Sequence, residues 1–202
     1  MASKKTVALI TGSTRKVRLG PSMTSFVQEL VAPQCPSISF EIVDLADHPL
    51  PILDETVLPA SHPEEDPTPH YEHEHTRKWS AVVRKYDAFI FVTPQYNWSV
   101  PAGLKNALDY LFYEWKGKPA GVVSYGGRGG GKAAAHLRDI LNGLRMTVLP
   151  TSPGLSTSSK MLPYIAEHKS VSDVDRERWK ESGADLQIVA LGQELAKELE
   201  KE

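Results

Sequence analysis

Short apolar runs alternate with longer amphipathic segments along most of this chain. Five of the runs are typical of buried strands, and they cover residues 6–11, 38–43, 87–92, 119–124 and 146–149. Apolar side chains at helical spacing follow them, in residues 21–31, 72–85, 102–112, 131–144 and from 174 to the end of the chain. This alternation predicts a parallel sheet that helices cover on both faces.

Five strands joined by helical crossovers suit the strand order 2-1-3-4-5. We therefore expect an α/β fold, a flavodoxin-like three-layer sandwich with a five-stranded parallel sheet. Two segments fall outside the alternation, residues 46–71, which are rich in Pro, Asp, Glu and His, and residues 154–172. We expect both to be irregular. Because no repeat or linker divides the chain, we expect residues 1–202 to form a single domain.

Composition and charge narrow the class of protein. The 202 residues are 41% hydrophobic and carry a net charge of -2, which gives no indication of a nucleic acid or anionic membrane partner. Cys35 is the single cysteine, so no intrachain disulfide can form. The first residues lack the apolar core of a secretory signal, and no apolar run approaches the roughly 20 residues of a membrane span. We expect a cytoplasmic protein without a membrane partner.

The loop after the first predicted strand, residues 12–20, carries hydroxyl and guanidinium groups. Ser13, Arg15 and Arg18 follow the strand and precede a helix. Backbone N–H groups at a helix N-terminus, hydroxyls and arginines together suit a phosphate group. A solvated basic loop without a ligand is the alternative, but the position after the first strand favours phosphate. The loop has no GxGxxG, which argues against a dinucleotide-binding turn.

The loop after the third predicted strand combines amide and aromatic side chains. Pro94, Gln95, Tyr96 and Asn97 lie where that strand ends, and a helix follows with Pro101 at its start. Such a loop offers an apolar plate, amide hydrogen bonds and backbone donors to a planar heterocycle such as a flavin. The alternative is an ordinary strand-to-helix turn in which Asn97 or Ser99 caps the helix. Trp98 is a lid, an interface residue or a packed side chain.

The loop after the fourth predicted strand is rich in glycine. Residues 124–132 nearly match a phosphate-binding Walker A loop, with Gly126, Gly131 and Lys132 at the expected spacing. Ala133 stands where the Mg²⁺-binding hydroxyl would be required, and the loop follows the fourth strand instead of the first, so we reject an ATPase. Glycines here are better explained by the close approach of the backbone to a flat ligand.

In this order the three loops resemble those of the NADPH-dependent FMN reductase family, which comprises flavodoxin-like NAD(P)H:quinone reductases. The likeness is carried by Gly-Ser-Thr-Arg at 12–15, Pro-Gln-Tyr-Asn-Trp-Ser at 94–99 and Ser-Tyr-Gly-Gly at 124–127. It extends over roughly residues 6–150 and is greatest for the eukaryotic, especially fungal, branch. One departure is that Arg18 and Gly20 stand where many bacterial members have Ser and Asn.

The resemblance implies an enzyme that binds FMN non-covalently and uses NADPH or NADH as co-substrate. It would pass two electrons by ping-pong hydride transfer to quinones or similar acceptors, such as flavins, azo compounds and metal ions. The flavin N5 atom would carry the chemistry, so no catalytic side chain and no metal ligand is expected. The alternative is a flavin-binding electron carrier or redox-sensing interaction module with little turnover. Arg15, Lys16, Arg18 and the near-neutral charge favour the reductase.

The resemblance also implies roles for particular residues. Ser13 and Arg15 would bind the FMN phosphate, with Arg18 as a helper. The isoalloxazine and ribityl groups would contact Pro94, Gln95, Tyr96 and Asn97 on one side and Ser124, Tyr125, Gly126 and Gly127 on the other. The family forms homodimers or tetramers. The aromatic residues Trp98, Phe112, Tyr113 and Trp115 are compatible with an interface if they are exposed, and with the monomer's core if they are not.

Four histidines, His62, His70, His73 and His75, cluster in and just after the Pro-rich segment near several carboxylates. Their spacing matches no standard zinc motif. We therefore expect a solvated, mobile loop in preference to a metal site, a substrate lid or a subunit contact. Cys35, after the first predicted helix, is interpreted as an incidental thiol.

Overall fold

A computed structural model describes residues 4–201. Its strands are β1 (Lys5–Thr11), β2 (Ile38–Asp44), β3 (Ala88–Pro94), β4 (Pro119–Gly126), β5 (Thr147–Val148) and β6 (Gly154–Ser156). Its helices are α1 (Gly20–Val31), α2 (Glu74–Val83), α3 (Ala102–Asp109), α4 (Gly131–Gly143), α5 (Met161–His168), α6 (Asp173–Glu181) and α7 (Ala184–Leu199). Short 3₁₀ turns follow α1 and interrupt the segment between β2 and α2.

The strands form one parallel sheet in the order β2-β1-β3-β4-β5, with β6 also paired to β4. The register pairs Thr11 with Val92 and Pro94 with Tyr125, so β1, β3 and β4 end at the same edge. Every residue of β3 is buried, as expected of a central strand covered on both faces. The predicted fold class and strand order are confirmed, and β6 is an addition that the sequence did not indicate.

Two apolar layers hold helices against the sheet. On one face, side chains of α1, α6 and α7 pack on the strands, including Phe26, Trp179 and Leu191. On the other face, α2, α3 and α4 contribute Trp79 and Leu137, among others. Burial of each such side chain contributes roughly 1.5–3 kcal/mol. No helix formed by residues 4–201 combines the length and the apolar character needed to cross a membrane.

Trp115 belongs to the second of these layers. It is 1% exposed, its ring lies 5.0 Å from that of Phe89, and its indole N–H donates to the carbonyl of Leu108. An interface position for Trp115 is therefore excluded by its burial, whereas Phe112 and Tyr113 are half-buried and Trp98 is exposed.

The expectation that residues 154–172 are irregular is wrong, because these residues contain β6 and α5. A strand of three residues has too few positions to show alternation, and a proline at position 163 weakens the helical pattern. Pro163 lies in the first turn of α5, where a missing N–H costs no helical hydrogen bond. The helix expected from 174 onward is in fact α6 and α7, which are separated by Gly183 in a left-handed conformation, φ 73°.

The expectation of a solvated loop between β2 and α2 is also wrong for several of its residues. Tyr71 is 2% exposed, and its hydroxyl donates to Oε2 of the equally buried Glu114 at 3.2 Å. His62 is 9% exposed and its ring packs edge-on against Tyr71 at 4.7 Å. The residues that the structure describes contain no group of His, Cys, Asp and Glu arranged to hold a metal ion.

Cys35 has a structural environment. It is 2% exposed, and its thiol donates to the carbonyl of Gly192 at 3.3 Å, which connects the end of α1 to α7. Burial raises the pKa of this thiol, so it remains protonated and poorly nucleophilic near neutral pH.

Candidate functional site

The loops that follow β1, β3 and β4 converge on an open cleft of about 250 Å³ at the carboxyl edge of the sheet. This is the edge at which open α/β sheets bind ligands. Eight of the eleven predicted site residues line the cleft: Arg15, Arg18, Pro94, Gln95, Tyr96, Tyr125, Gly126 and Gly127. The other three, Ser13, Asn97 and Ser124, belong to the same three chain segments but do not line the cleft.

The two arginines of the first loop have different environments. Arg18 forms a bidentate ion pair with Asp44 at 2.7 and 2.8 Å, and it also donates to the carbonyl of Ser13 at 2.6 Å. The hydrogen bonds that Arg18 donates to the Asp44 carboxylate raise the pKa of the guanidinium. Arg18 thus ties the loop to the end of β2. Arg15 is exposed and makes no ion pair with any residue in 4–201.

Backbone groups of the same loop are available to a ligand. Within residues 4–201, the N–H groups of Arg15, Lys16, Val17 and Arg18 have no hydrogen-bond acceptor. They precede α1, whose N-terminus has no side-chain cap. Unsatisfied N–H groups at a helix start, next to an unpaired guanidinium, favour an anion.

Ser13 lies beneath the loop and supports it. Its side chain is fully buried, and Tyr125 Oη donates to Ser13 Oγ at 3.4 Å. Burial raises the pKa of Tyr125 well above its ordinary range, so the phenol remains a donor. The packing explains Gly20, since a Cβ there would lie 2.2 Å from Ser13 Oγ.

Gln95 connects the second and third loops. Its backbone N–H donates to the carbonyl of Tyr125 at 2.9 Å. Its side-chain oxygen accepts from the backbone N–H groups of Lys132 and Ala133 at 3.0 and 3.3 Å, so Gln95 caps the N-terminus of α4. The cap fixes one wall of the cleft relative to the other.

The glycines of the third loop serve two purposes. Gly129 and Gly130 both have φ 78°, and a Cβ at Gly130 would lie 2.8 Å from the carbonyl oxygen of Tyr125. Ser124 Oγ closes this turn by donating to the carbonyl of Gly129 at 2.7 Å. A Cβ at Gly127, by contrast, would meet no protein atom within 4 Å. Gly127 therefore presents backbone to the open cleft.

The second loop ends in an unusual turn. Tyr96 and Ser99 exchange two backbone hydrogen bonds of 3.0 Å, and the residues between them, Asn97 and Trp98, have φ of 47° and 69°. The interpretation in which Asn97 or Ser99 caps the next helix is wrong. Pro101 occupies the N-cap of α3, and no side chain bonds to that end. Trp98 is 67% exposed, which excludes a packed role in the chain.

Sequence reasoning missed four residues that line the cleft: Val17, Leu19, Thr157 and Leu162. Thr157 and Leu162 come from the segment that was expected to be irregular. The backbone N–H of Thr157 donates to the carbonyl of Gly126 at 2.9 Å, which places this segment beside the third loop. The spacing of Met161 and Ile165, four residues apart and both buried, was the available signal for a helix there.

Comparison with known proteins shows the family to which the chain belongs. The model of the family described as NADPH-dependent FMN reductase matches residues 5–160. This chain belongs to the NADPH-dependent FMN reductase family. The reductase shares 43% identity over 150 residues with the NAD(P)H-dependent FMN reductase C4B3.06c of Schizosaccharomyces pombe, covering 74% of this chain and 72% of that one. It shares 30% identity over 192 residues with an NADPH:quinone oxidoreductase of Arabidopsis thaliana, covering 92% and 91%.

A solved structure supports the fold of this reductase. The flavoenzyme NAD(P)H:(acceptor) oxidoreductase FerB of Paracoccus denitrificans superposes with a TM-score of 0.69 at 24% identity, over 96% of this chain and 98% of that one. The prediction that the chain belongs to this family, and resembles its fungal members most, is confirmed. The chain is an oxidoreductase of this family, with FMN as cofactor and NAD(P)H as co-substrate, as predicted.

Proposed function

We propose that this reductase passes two electrons from NAD(P)H to quinones or related acceptors, such as flavins, azo compounds and metal ions, from a single cleft. The observation that carries the proposal is the convergence of three loops on one open cleft. A basic loop with unsatisfied N–H groups forms one end, and exposed glycine backbone forms the other. When bound there, FMN supplies the hydride transfer chemistry.

The first loop fits the phosphate of FMN. Arg15 would pair with it directly, and the N–H groups of residues 15–18 would donate to its oxygens. Ser13 and Arg18 would act mainly by holding the loop, since Ser13 is buried and the guanidinium of Arg18 is already bound to Asp44. A hydroxyl or guanidinium that turned toward the phosphate would have to leave these partners.

The second and third loops fit the ring and the ribityl chain. Pro94 and Tyr96 provide apolar surface, and Gln95 and Asn97 belong to the loop that would contact the ring and ribityl groups. On the other side, Tyr125, Gly126 and Gly127 would face the ring, with Ser124 holding their turn. Backbone N–H groups of the glycines would stabilise negative charge near the ring. No side chain is needed as nucleophile or general base.

The most direct test of the phosphate assignment is the affinity for FMN. We expect Arg15→Ala to raise the Kd for FMN about tenfold, because it removes one charge-assisted contact. The salt dependence of binding should also become shallower. Lys85→Ala is a matched control, since Lys85 is exposed after α2, at the opposite edge of the sheet. Equal affinities for Arg15→Ala and wild type would contradict the assignment.

One cleft of this size suggests that co-substrate and acceptor bind in turn. We therefore propose ping-pong kinetics. Initial rates at several fixed acceptor concentrations should give parallel double-reciprocal lines. Intersecting lines would require both molecules to be bound together and would contradict this part of the proposal.

We also propose that residues 1–202 act as one domain and that the protein is a cytoplasmic homodimer or tetramer. The apolar Ile52 and Leu58, which are 89% and 74% exposed, are compatible with subunit contacts. Light scattering at micromolar concentration should give at least twice the chain mass of 22.3 kDa. A mass equal to one chain would contradict the oligomer.

A further inference from the structure

Trp98 is exposed in the loop that follows β3, and the proposed flavin assignment gives it no role. It follows Tyr96, which lines the cleft, and it is 67% exposed. An indole is among the side chains that gain most from burial, so its exposure beside a binding cleft points to a partner that stacks on it.

The backbone that holds this indole in place is conformationally strained. Asn97 and Trp98 are consecutive residues with left-handed φ, which non-glycine residues adopt with strain. The turn persists because Tyr96 and Ser99 bond to each other on both sides of it. The hydroxyl of Ser99 is also bonded to Nδ1 of His136 on α4 at 3.0 Å. Strain that the surroundings maintain in this way is concentrated at functional sites.

Two cations without acidic partners lie in the neighbouring loop. The ammonium of Lys132, at the start of α4, is 5.9 Å from the centre of the Trp98 ring. Arg128 is exposed in the same glycine-rich loop, next to Gly127, which lines the cleft. Neither Lys132 nor Arg128 forms an ion pair with any residue in 4–201. An exposed indole and two unpaired cations therefore belong to the second and third loops, whose neighbouring residues line the cleft.

We propose that Trp98, Lys132 and Arg128 form the subsite for the 2′-phosphoadenosine end of NADPH. The indole stacks on the adenine, and the two cations bind the 2′-phosphate. A quinone acceptor has no charge for these cations to bind, and NADH lacks this phosphate. The subsite therefore makes the reductase prefer NADPH. The inference rests on the proposed function, because it requires the nicotinamide end to reach flavin held in the cleft.

The test measures the reductive half-reaction of the FMN-loaded enzyme, as anaerobic bleaching of the flavin by NADPH or NADH in a stopped-flow instrument. The variants are Trp98→Ala, Trp98→Phe and Lys132→Ala, with Lys85→Ala as the control for loss of a distant exposed cation. FMN content is first measured from the absorbance of each variant. The oxidative half-reaction with a quinone is measured separately.

We expect Lys132→Ala to raise the Kd for NADPH about tenfold and that for NADH less than twofold, because only NADPH carries the 2′-phosphate. Trp98→Ala should raise the Kd for both nucleotides, and Trp98→Phe should restore most of the affinity. Lys85→Ala should match wild type. The oxidative half-reaction should not change.

Three results would contradict the assignment of Trp98, Lys132 and Arg128 to this subsite. They are equal effects of Lys132→Ala on NADPH and NADH, an effect confined to the quinone reaction, or wild-type Kd values in all variants. Failure of the underlying function is a distinct result, since the wild-type enzyme would then bind no FMN or would show no bleaching by either nucleotide.

Discussion

At the scale of single residues, the side chains that shape the cleft are fixed by partners in other loops. Gln95 caps α4 from the loop after β3, and Arg18 is held by Asp44 at the end of β2. Neither interaction can be read from local sequence, because each joins residues that are distant in the chain. The sequence did predict which loops meet at the cleft. It did not predict that Arg18 supports its loop while Arg15 is left unpaired.

Gly130 offers a test at this scale. Gly130→Ala should lower the free energy of unfolding by roughly 2–3 kcal/mol, because the residue has a left-handed φ and its Cβ would collide with the backbone of Tyr125. Urea denaturation measures this change.

Gly143→Ala is the matched control for Gly130→Ala. Gly143 is the last residue of α4, its Cβ would meet no atom within 4 Å, and its φ is not left-handed. This variant should be neutral or slightly more stable, since alanine favours helix. Similar losses for the two variants would show that the turn at Gly130 imposes no special conformation.

At the scale of elements, the long central strands and amphipathic helices were predictable because each repeats its pattern over several residues. β3 is apolar throughout, and α1 spaces its buried residues helically. β6 and α5 were missed because a strand of three residues and a helix with proline in its first turn give weak signals. The segment between β2 and α2 was misjudged because its packing depends on Glu114, which is distant in sequence.

The buried contact between Tyr71 and Glu114 anchors that segment. Tyr71→Phe should cost about 1–2 kcal/mol of stability, because the Glu114 carboxylate loses a buried donor and retains those of Ser80 and Phe112. Tyr113→Phe removes a more exposed hydroxyl bond, to the carbonyl of Ala60, and should change stability by less than about 0.5 kcal/mol. Thermal or urea denaturation distinguishes the two. Equal small effects would mean that the segment is not anchored at Glu114.

At the scale of the whole molecule, several buried tyrosines make stability depend on alkaline pH. Burial, and then the carboxylate of Glu41, raise the pKa of Tyr86 to about 12, and burial followed by Asp54 raises that of Tyr110 to about 12. Burial also raises the pKa of Tyr71 and Tyr125. In the unfolded chain these phenols ionise near pH 10. Their contribution to stability is therefore complete below pH 10 and is lost as the pH rises toward 12.

We accordingly expect the urea midpoint to fall steeply above pH 10. Tyr86→Phe should reduce the steepness of this fall, since the variant lacks one group that binds its proton more tightly in the folded state. A midpoint that does not change between pH 9 and pH 11 would contradict the burial of these phenols.

The central claim is that the three loops at the carboxyl edge of the sheet hold an NADPH-reducible FMN. An absorbance spectrum of the purified protein, recorded after incubation with FMN and removal of the excess, and again after anaerobic addition of NADPH, tests it most directly. We expect bands of bound oxidised flavin that bleach with NADPH. A protein that retains no flavin after this treatment, or flavin bands that NADPH does not bleach, would contradict the account.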